Sequence, residues 1–155
     1  MRYLPILAIL ILLLTTCTDN KVDYNNKLVQ LHKTAVTQYN NLVEKVNNED
    51  STQGTQLAQL TTTLQKTIDS ATAQLQSMKV LPETAEYTAA LQNYIATLKQ
   101  VANKYNSLYV TPATANVKEA ATRWLNDSTI GVEAAETLLK QKQKLFAEKF
   151  GYSLQ

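Results

Sequence analysis

The feature that most constrains the fold is a stripe of apolar residues at spacings of three and four between Thr84 and Tyr109. Its members are Tyr87, Leu91, Tyr94, Leu98, Val101, Tyr105 and Leu108. Residues spaced in this way share one face of an α-helix, whereas a β-strand would need apolar and polar residues in alternation. A helix with such a face has to bury it against other elements. The stripe therefore predicts helix-on-helix packing.

Two earlier segments carry equivalent stripes, Tyr24 to Val46 and Leu57 to Met78. The stretch NNEDSTQG, residues 47 to 54, separates them. Pro82 ends the second segment and suits the first position of a new helix, where its missing N–H would have no partner anyway. The chain has only 3 Gly and 3 Pro in 155 residues, too little turn chemistry for a β-sandwich or barrel. The sequence predicts an all-α fold, an up-and-down antiparallel bundle of four helices.

The fourth helix is where two rules conflict. The apolar phase runs from Val117 to Phe146, and Thr111-Pro112 provides a starting signal with Thr111 as N-cap. One helix from Ala113 to Phe150 would be roughly 57 Å long, against about 39 Å for the third. The stretch Asn126 to Gly131, NDSTIG, however, places several poor helix formers in succession. We expect a break or kink there, after a short helix carrying Trp124 across the distal end, with a continuous helix as the alternative.

The N-terminal segment has the layout of an export signal. Its apolar run from Leu4 to Leu14 would be about 16 Å long as a helix, too short for roughly 30 Å of bilayer hydrocarbon. One cation, Arg2, precedes the run and small polar residues follow, as in a secretory signal peptide. The run ends at Leu14-Thr15-Thr16-Cys17, which contains the only cysteine of the chain and resembles the lipobox of bacterial lipoproteins. That resemblance implies cleavage by signal peptidase II before Cys17 and lipid on its sulfur.

This interpretation divides the chain into a signal peptide at residues 1–16, a lipidated tether at 17–22 and a helical bundle domain at 23–155. Each buried CH₂ of a lipid chain contributes about 0.8 kcal/mol, so two or more chains hold a protein on a membrane. Thr18 stands where some inner-membrane lipoproteins have aspartate, which favours the outer membrane or the cell surface. The alternative is an ordinary buried cysteine beside a hydrophobic core helix.

Two stretches resemble the ends of an uncharacterised family of small helical bacterial surface lipoproteins. They are YNNKLVQL, Tyr24 to Leu31, and LFAEKFGYSL, Leu145 to Leu154. The resemblance covers the first helix and the last turns of the fourth, while the middle matches only in pattern. It implies an exported helical lipoprotein. The resemblance implies no activity and assigns no functional residue.

Candidate chemistry is sparse. His32 is the only histidine and lies at the flank of the first stripe, with no nucleophile or second metal ligand in the pattern around it. Glu133 and Glu136 share a helix face and Glu49-Asp50 sit in a loop, and neither pair has a histidine nearby in the pattern. We therefore expect no enzyme activity, no cofactor and no metal. A formal charge of +2 also disfavours nucleic acid as a partner.

The tyrosines allow two interpretations. Tyr87, Tyr94 and Tyr105, with Trp124, form the core with their polar atoms reaching the rim, or they line a cleft between helices for an amphipathic ligand. Lysines crowd the last segment and form a solvated face or a surface towards the membrane: Lys140, Lys142, Lys144 and Lys149. We predict a lipid-anchored envelope protein that acts as a binding or structural module. The alternative is a carrier of small amphipathic ligands.

Overall fold

The computed structural model describes residues 20–48, 54–111 and 114–152. Four α-helices form within these ranges: α1 (Asn20–Asn48), α2 (Gly54–Ser77), α3 (Ala85–Tyr109) and α4 (Ala115–Phe150). A 3₁₀ turn at Pro82–Thr84 leads into α3, with proline at its first position as the sequence predicts. The prediction of an all-α four-helix bundle is confirmed. Residues 1–19, with Cys17, and the pair Glu49-Asp50 lie outside the described ranges.

The helices alternate in direction, so that α1 and α3 start at the end of the bundle where α4 finishes. Near the starts of α1 and α3, the hydroxyls of Tyr24 and Thr88 share a hydrogen bond of 3.1 Å. The ring of Tyr87, early in α3, lies 6.0 Å from that of Phe146, late in α4. We call this end the base of the bundle and the opposite end the distal end. Residues 20–22, assigned to the tether from the sequence, belong to the first turn of α1.

Helix α3 lies at the centre of the core. Ten of its residues are buried, against six in α2 and six in α4. It packs against all three other helices, and α2 runs antiparallel beside it, with Lys99 donating to Asp69 at 2.9 Å and Gln65 to Asn103 at 3.3 Å. Tyr94 and Leu98 are fully buried. The clean stripe that dominates the sequence is therefore the hydrophobic centre of the molecule.

The expected break in the fourth helix is wrong, because α4 is continuous through Asn126–Gly131. The hydroxyls of Ser128 and Thr129 donate to the Leu125 carbonyl at 2.9 and 3.4 Å, so these side chains are satisfied inside a helix. Relative to alanine, the poor helix formers between Asn126 and Gly131 together destabilise the helix by about 3 kcal/mol. Burial of apolar residues on both sides, such as Val132, offsets that cost at about 1.5–3 kcal/mol for each large side chain.

The start of α4 differs from the prediction as well. Thr114, in extended backbone conformation, holds the N-cap position rather than Thr111. Thr111 instead completes the end of α3, where its N–H donates to the Asn106 carbonyl at 2.9 Å and its hydroxyl accepts from the Asn106 amide at 3.0 Å.

The surplus length of α4 lies at the distal end. Its 36 residues span about 54 Å, against about 38 Å for the 25 residues of α3. Since Phe146 is level with Tyr87, the two helices are aligned at the base. Residues 115–120 extend past the end of α3 and are exposed throughout. We call these residues the overhang. Trp124 follows it within the same helix, so the expected separate helix carrying Trp124 is wrong.

Candidate functional site

The tyrosines singled out from the sequence lie inside the core. Tyr87, Tyr94 and Tyr105 are 3%, 0% and 7% exposed. Burial raises the pKa of all three phenols above the ordinary value, because the charged form would lose its hydration. Trp124 is half-buried, and the Lys104 ammonium lies 5.5 Å from its ring centre. The structure therefore places all four residues in or against the core and spreads them along its length.

A polar cluster that the sequence did not reveal lies where α1, α3 and α4 meet. His32 of α1 packs edge-on against Tyr94 of α3, with ring centres 5.2 Å apart. Its Nε2 lies 4.0 Å from Oε1 of Glu136 on α4, and that oxygen forms an ion pair with the Lys140 ammonium at 2.7 Å. The expectation that Glu136 has no histidine nearby is thus wrong. His32 lies 12 residues from the start of α1, and Glu136 lies 14 residues from the end of α4. Both ends are at the base, so the two residues are at nearly the same height in the bundle. Counting helical turns from the base would therefore have brought them together.

Two atoms of this cluster are buried without a hydrogen-bond partner among the described residues, Nε2 of His32 and the hydroxyl of Tyr94. Buried polar atoms usually have partners. Burial lowers the pKa of His32, Glu136 opposes that effect and Lys140 adds to it. Burial raises the pKa of Tyr39, which lies two turns further along the same face of α1, with Glu133 and Glu136 adding to the effect. The cluster thus holds a neutral imidazole near a carboxylate that is already paired with a lysine.

The arrangement offers little for catalysis. A general base needs a nucleophile within hydrogen-bond reach and a place for the reacting atom. Here the group against the imidazole is the buried ring of Tyr94, and the Glu136 carboxylate is engaged by Lys140. Among the described residues, no group of three or more His, Cys, Asp or Glu side chains could hold a metal ion.

The clefts on the surface of the described residues include three that reach neither Tyr94 nor Tyr105. The largest of these three, about 360 Å³ between α1 and α2, has mostly polar lining residues: Gln30, Leu31, Thr34, Thr63, Lys66, Thr67, Ser70, Ala71 and Gln74. A second, of about 230 Å³, lies between α2 and α3. The third, about 210 Å³ at the base, touches Tyr87 and is bordered by Glu86 and Lys142. Of the predicted contact residues, Tyr87 therefore lines one of these three clefts, and Tyr94, Tyr105 and Trp124 line none of them.

The outer face of α4 carries apolar side chains that no neighbouring helix covers. Ile130 is 75% exposed, Leu138 40% and Leu145 50%, and Ala134 between them is exposed as well. We call these four residues the α4 face. The sequence placed Leu138 and Leu145 in the apolar phase of the fourth helix together with Val117. All three lie on α4 but are exposed, because the side of α4 that packs on α3 is narrower than the arc of apolar residues.

The lysines of the last segment are engaged at the surface. Lys142 donates to Glu86 at 2.7 Å and lowers the pKa of that carboxyl group. Lys144 pairs with Glu148 at 3.8 Å. Lys149 lies 5.5 Å from the ring centre of Phe150, and Lys21 of α1 approaches the same ring at 4.6 Å. Basic and aromatic groups are thus interleaved at the base.

None of the helices built by residues 20–48, 54–111 and 114–152 is long and apolar enough to cross a membrane. Comparisons of the chain with family models, with curated proteins and with solved structures find no match.

Proposed function

We propose that this protein is a lipid-anchored component of a bacterial cell envelope, held on the outer membrane or cell surface through Cys17, and that it binds another envelope protein. The observation that carries the binding role is the part of the α4 face above the base, Ile130, Ala134 and Leu138. Exposed apolar side chains that lie close together on one helix face are typical of protein-binding surfaces. The proposed role involves no catalysis, cofactor or metal.

The geometry of α4 suits such a role. Ile130 and Leu138 lie about 30 and 18 Å from the end of α4 at the base, as counted along the helix axis. Asp127 and Glu133 flank them as exposed carboxylates. An apolar centre with a polar rim is the usual anatomy of a protein interface. A partner helix laid along α4 would cover this strip.

The alternative role, a carrier of small amphipathic ligands, has less support. A carrier needs a concave apolar site that surrounds most of its ligand. Tyr94 and Tyr105 are buried instead, and the largest of the three clefts contains none of the predicted contact residues.

Site-specific photo-crosslinking in cells tests the binding role. A photoreactive residue at Ile130 should give a discrete crosslinked product. The matched control is Gln59 on α2, which is also exposed and lies about 27 Å from the base end of its helix. Equal crosslinking at the two positions, or none at Ile130, would contradict a binding role for the α4 face.

The anchor is tested separately with Cys17→Ala. This variant should lose incorporation of labelled palmitate and leave the membrane fraction, because the thioether is the proposed lipid attachment. Retention in the membrane with unchanged gel mobility would show that the N-terminal segment is an uncleaved anchor.

A further inference from the structure

The base brings together three chain segments close to the proposed lipid attachment. Lys21, in the first turn of α1, pairs with Glu83 of the 3₁₀ turn at 3.7 Å and lies over the ring of Phe150 at the end of α4. The ring centre of Phe146 lies 5.0 Å from that of Phe150 in a tilted arrangement, and the ring of Tyr152 stacks on Phe150 at 6.1 Å. The start of α1 is therefore fixed to the end of α4.

Chain length limits how far the base can lie from the lipid. Helix α1 begins at Asn20, three residues after Cys17. Three residues reach at most about 11 Å even when fully extended. If Cys17 carries lipid, as the proposed function holds, the start of α1 lies within that distance of the headgroups.

The charge along α4 changes sign towards the same end. From Leu138 to Phe150 the helix has four lysines and one glutamate, whereas from Ala115 to Thr137 it has two cations and four carboxylates. Anionic headgroups attract cations within about a Debye length of the surface and repel carboxylates. The gradient therefore favours an orientation with the base down and the distal end away from the membrane.

Apolar and aromatic side chains at the base are also suited to contact with a membrane surface. Val22 is 37% exposed, Val80 42% and Leu145 50%. Phe150 and Tyr152 are half-buried, with cations beside the ring of Phe150. Aromatic rings interleaved with lysines are the side chains that settle at headgroup level.

We propose that the bundle stands upright on an anionic membrane surface, with the base against the lipid headgroups. Trp124 then lies about 39 Å above Phe150 along α4, and the overhang lies beyond it. This inference rests on the proposed lipid anchor and adds the surface that faces the membrane.

Tryptophan quenching tests the orientation in the full lipidated chain. The protein is reconstituted into phosphatidylcholine–phosphatidylglycerol vesicles that carry a nitroxide on the headgroup. Trp124, the only tryptophan, reports on the distal end without any substitution. Leu145→Trp and Ile130→Trp, each combined with Trp124→Phe, compare two exposed positions on one helix about 22 Å apart. Circular dichroism confirms the fold of each variant.

The upright orientation is supported if Leu145→Trp loses fluorescence while Ile130→Trp and the native Trp124 do not. Equal loss at Leu145→Trp and Ile130→Trp would overturn it and show a molecule lying along α4. No loss at Leu145→Trp in protein whose Cys17 peptide has the mass of the lipidated form would overturn the orientation and leave the anchor intact. An unmodified Cys17 peptide would overturn both the anchor and the orientation.

Discussion

Helices α3 and α4 pack against each other, yet they use the same sequence pattern in different ways. In α3 the apolar stripe is buried almost completely, because α1, α2 and α4 surround it. In α4 the apolar residues divide, with Val132, Leu139 and Phe146 in the core and Ile130, Leu138 and Leu145 outside it. Helical spacing thus identifies the element, while the number of neighbouring helices decides how much of its apolar arc is buried.

The largest expected effect is a direct test of this contrast. Leu98→Ala in α3 should lower the free energy of unfolding by about 2–5 kcal/mol, because it leaves a cavity in a fully buried site. Leu138→Ala in α4 should change it by no more than about 0.5 kcal/mol, as expected for a surface position. Urea denaturation of both variants measures the difference. A large loss at Leu138 would mean that the α4 face is covered in solution.

The second prediction concerns how α1 is held against α3 and α4. Its contact with α3 near the base includes the hydrogen bond between the hydroxyls of Tyr24 and Thr88. Its contact with α4 includes His32, whose pKa is lowered in the folded state from the ordinary value of 6.5. The unfolded chain therefore binds a proton first as the pH falls below 6.5, and stability decreases from there towards the folded pKa.

Between pH 6.5 and the folded pKa of His32, the free energy of unfolding decreases by at most about 1.4 kcal/mol per pH unit. Unfolding measured between about pH 7.5 and pH 5.5 should show it in the wild type, since ordinary carboxyl groups titrate lower. His32→Gln is the control and should flatten the curve. An unchanged slope in His32→Gln would show that groups other than His32 cause the acid sensitivity.

The smallest expected effect tests the continuity of α4. Gly131→Ala should raise the free energy of unfolding by about 0.5–1 kcal/mol, because alanine is the better helix former and no atom lies within 4 Å of the new Cβ. Gly151→Ala is the matched control, and it should lower the free energy of unfolding. Gly151 has a φ of +69° at the end of α4, where a Cβ costs about 1–2 kcal/mol. Destabilisation by Gly131→Ala would indicate a break at that position.

The sequence was sufficient to predict the position and the burial of a helix that has neighbouring helices on several sides. The stripe through Tyr94 and Leu98 predicted both the α3 helix and its burial, since few arrangements hide so regular a face. It failed at Asn126–Gly131, because intrinsic propensity is a weak preference that packing on either side outweighs. It also missed the contact between His32 and Glu136, which are 104 positions apart and meet only once the helices are aligned at the base.

The overhang determines where the distal end unfolds locally. Its residues are exposed as they stand, so unwinding them uncovers no further apolar area, and the free energy of this local opening is small compared with global unfolding. Limited trypsin digestion should therefore cut at Lys118 before it cuts within the packed part of α4. A ligand that seats on these turns would have to offset the cost of fixing them, and its binding would appear as slowed amide exchange there while the core stays unchanged.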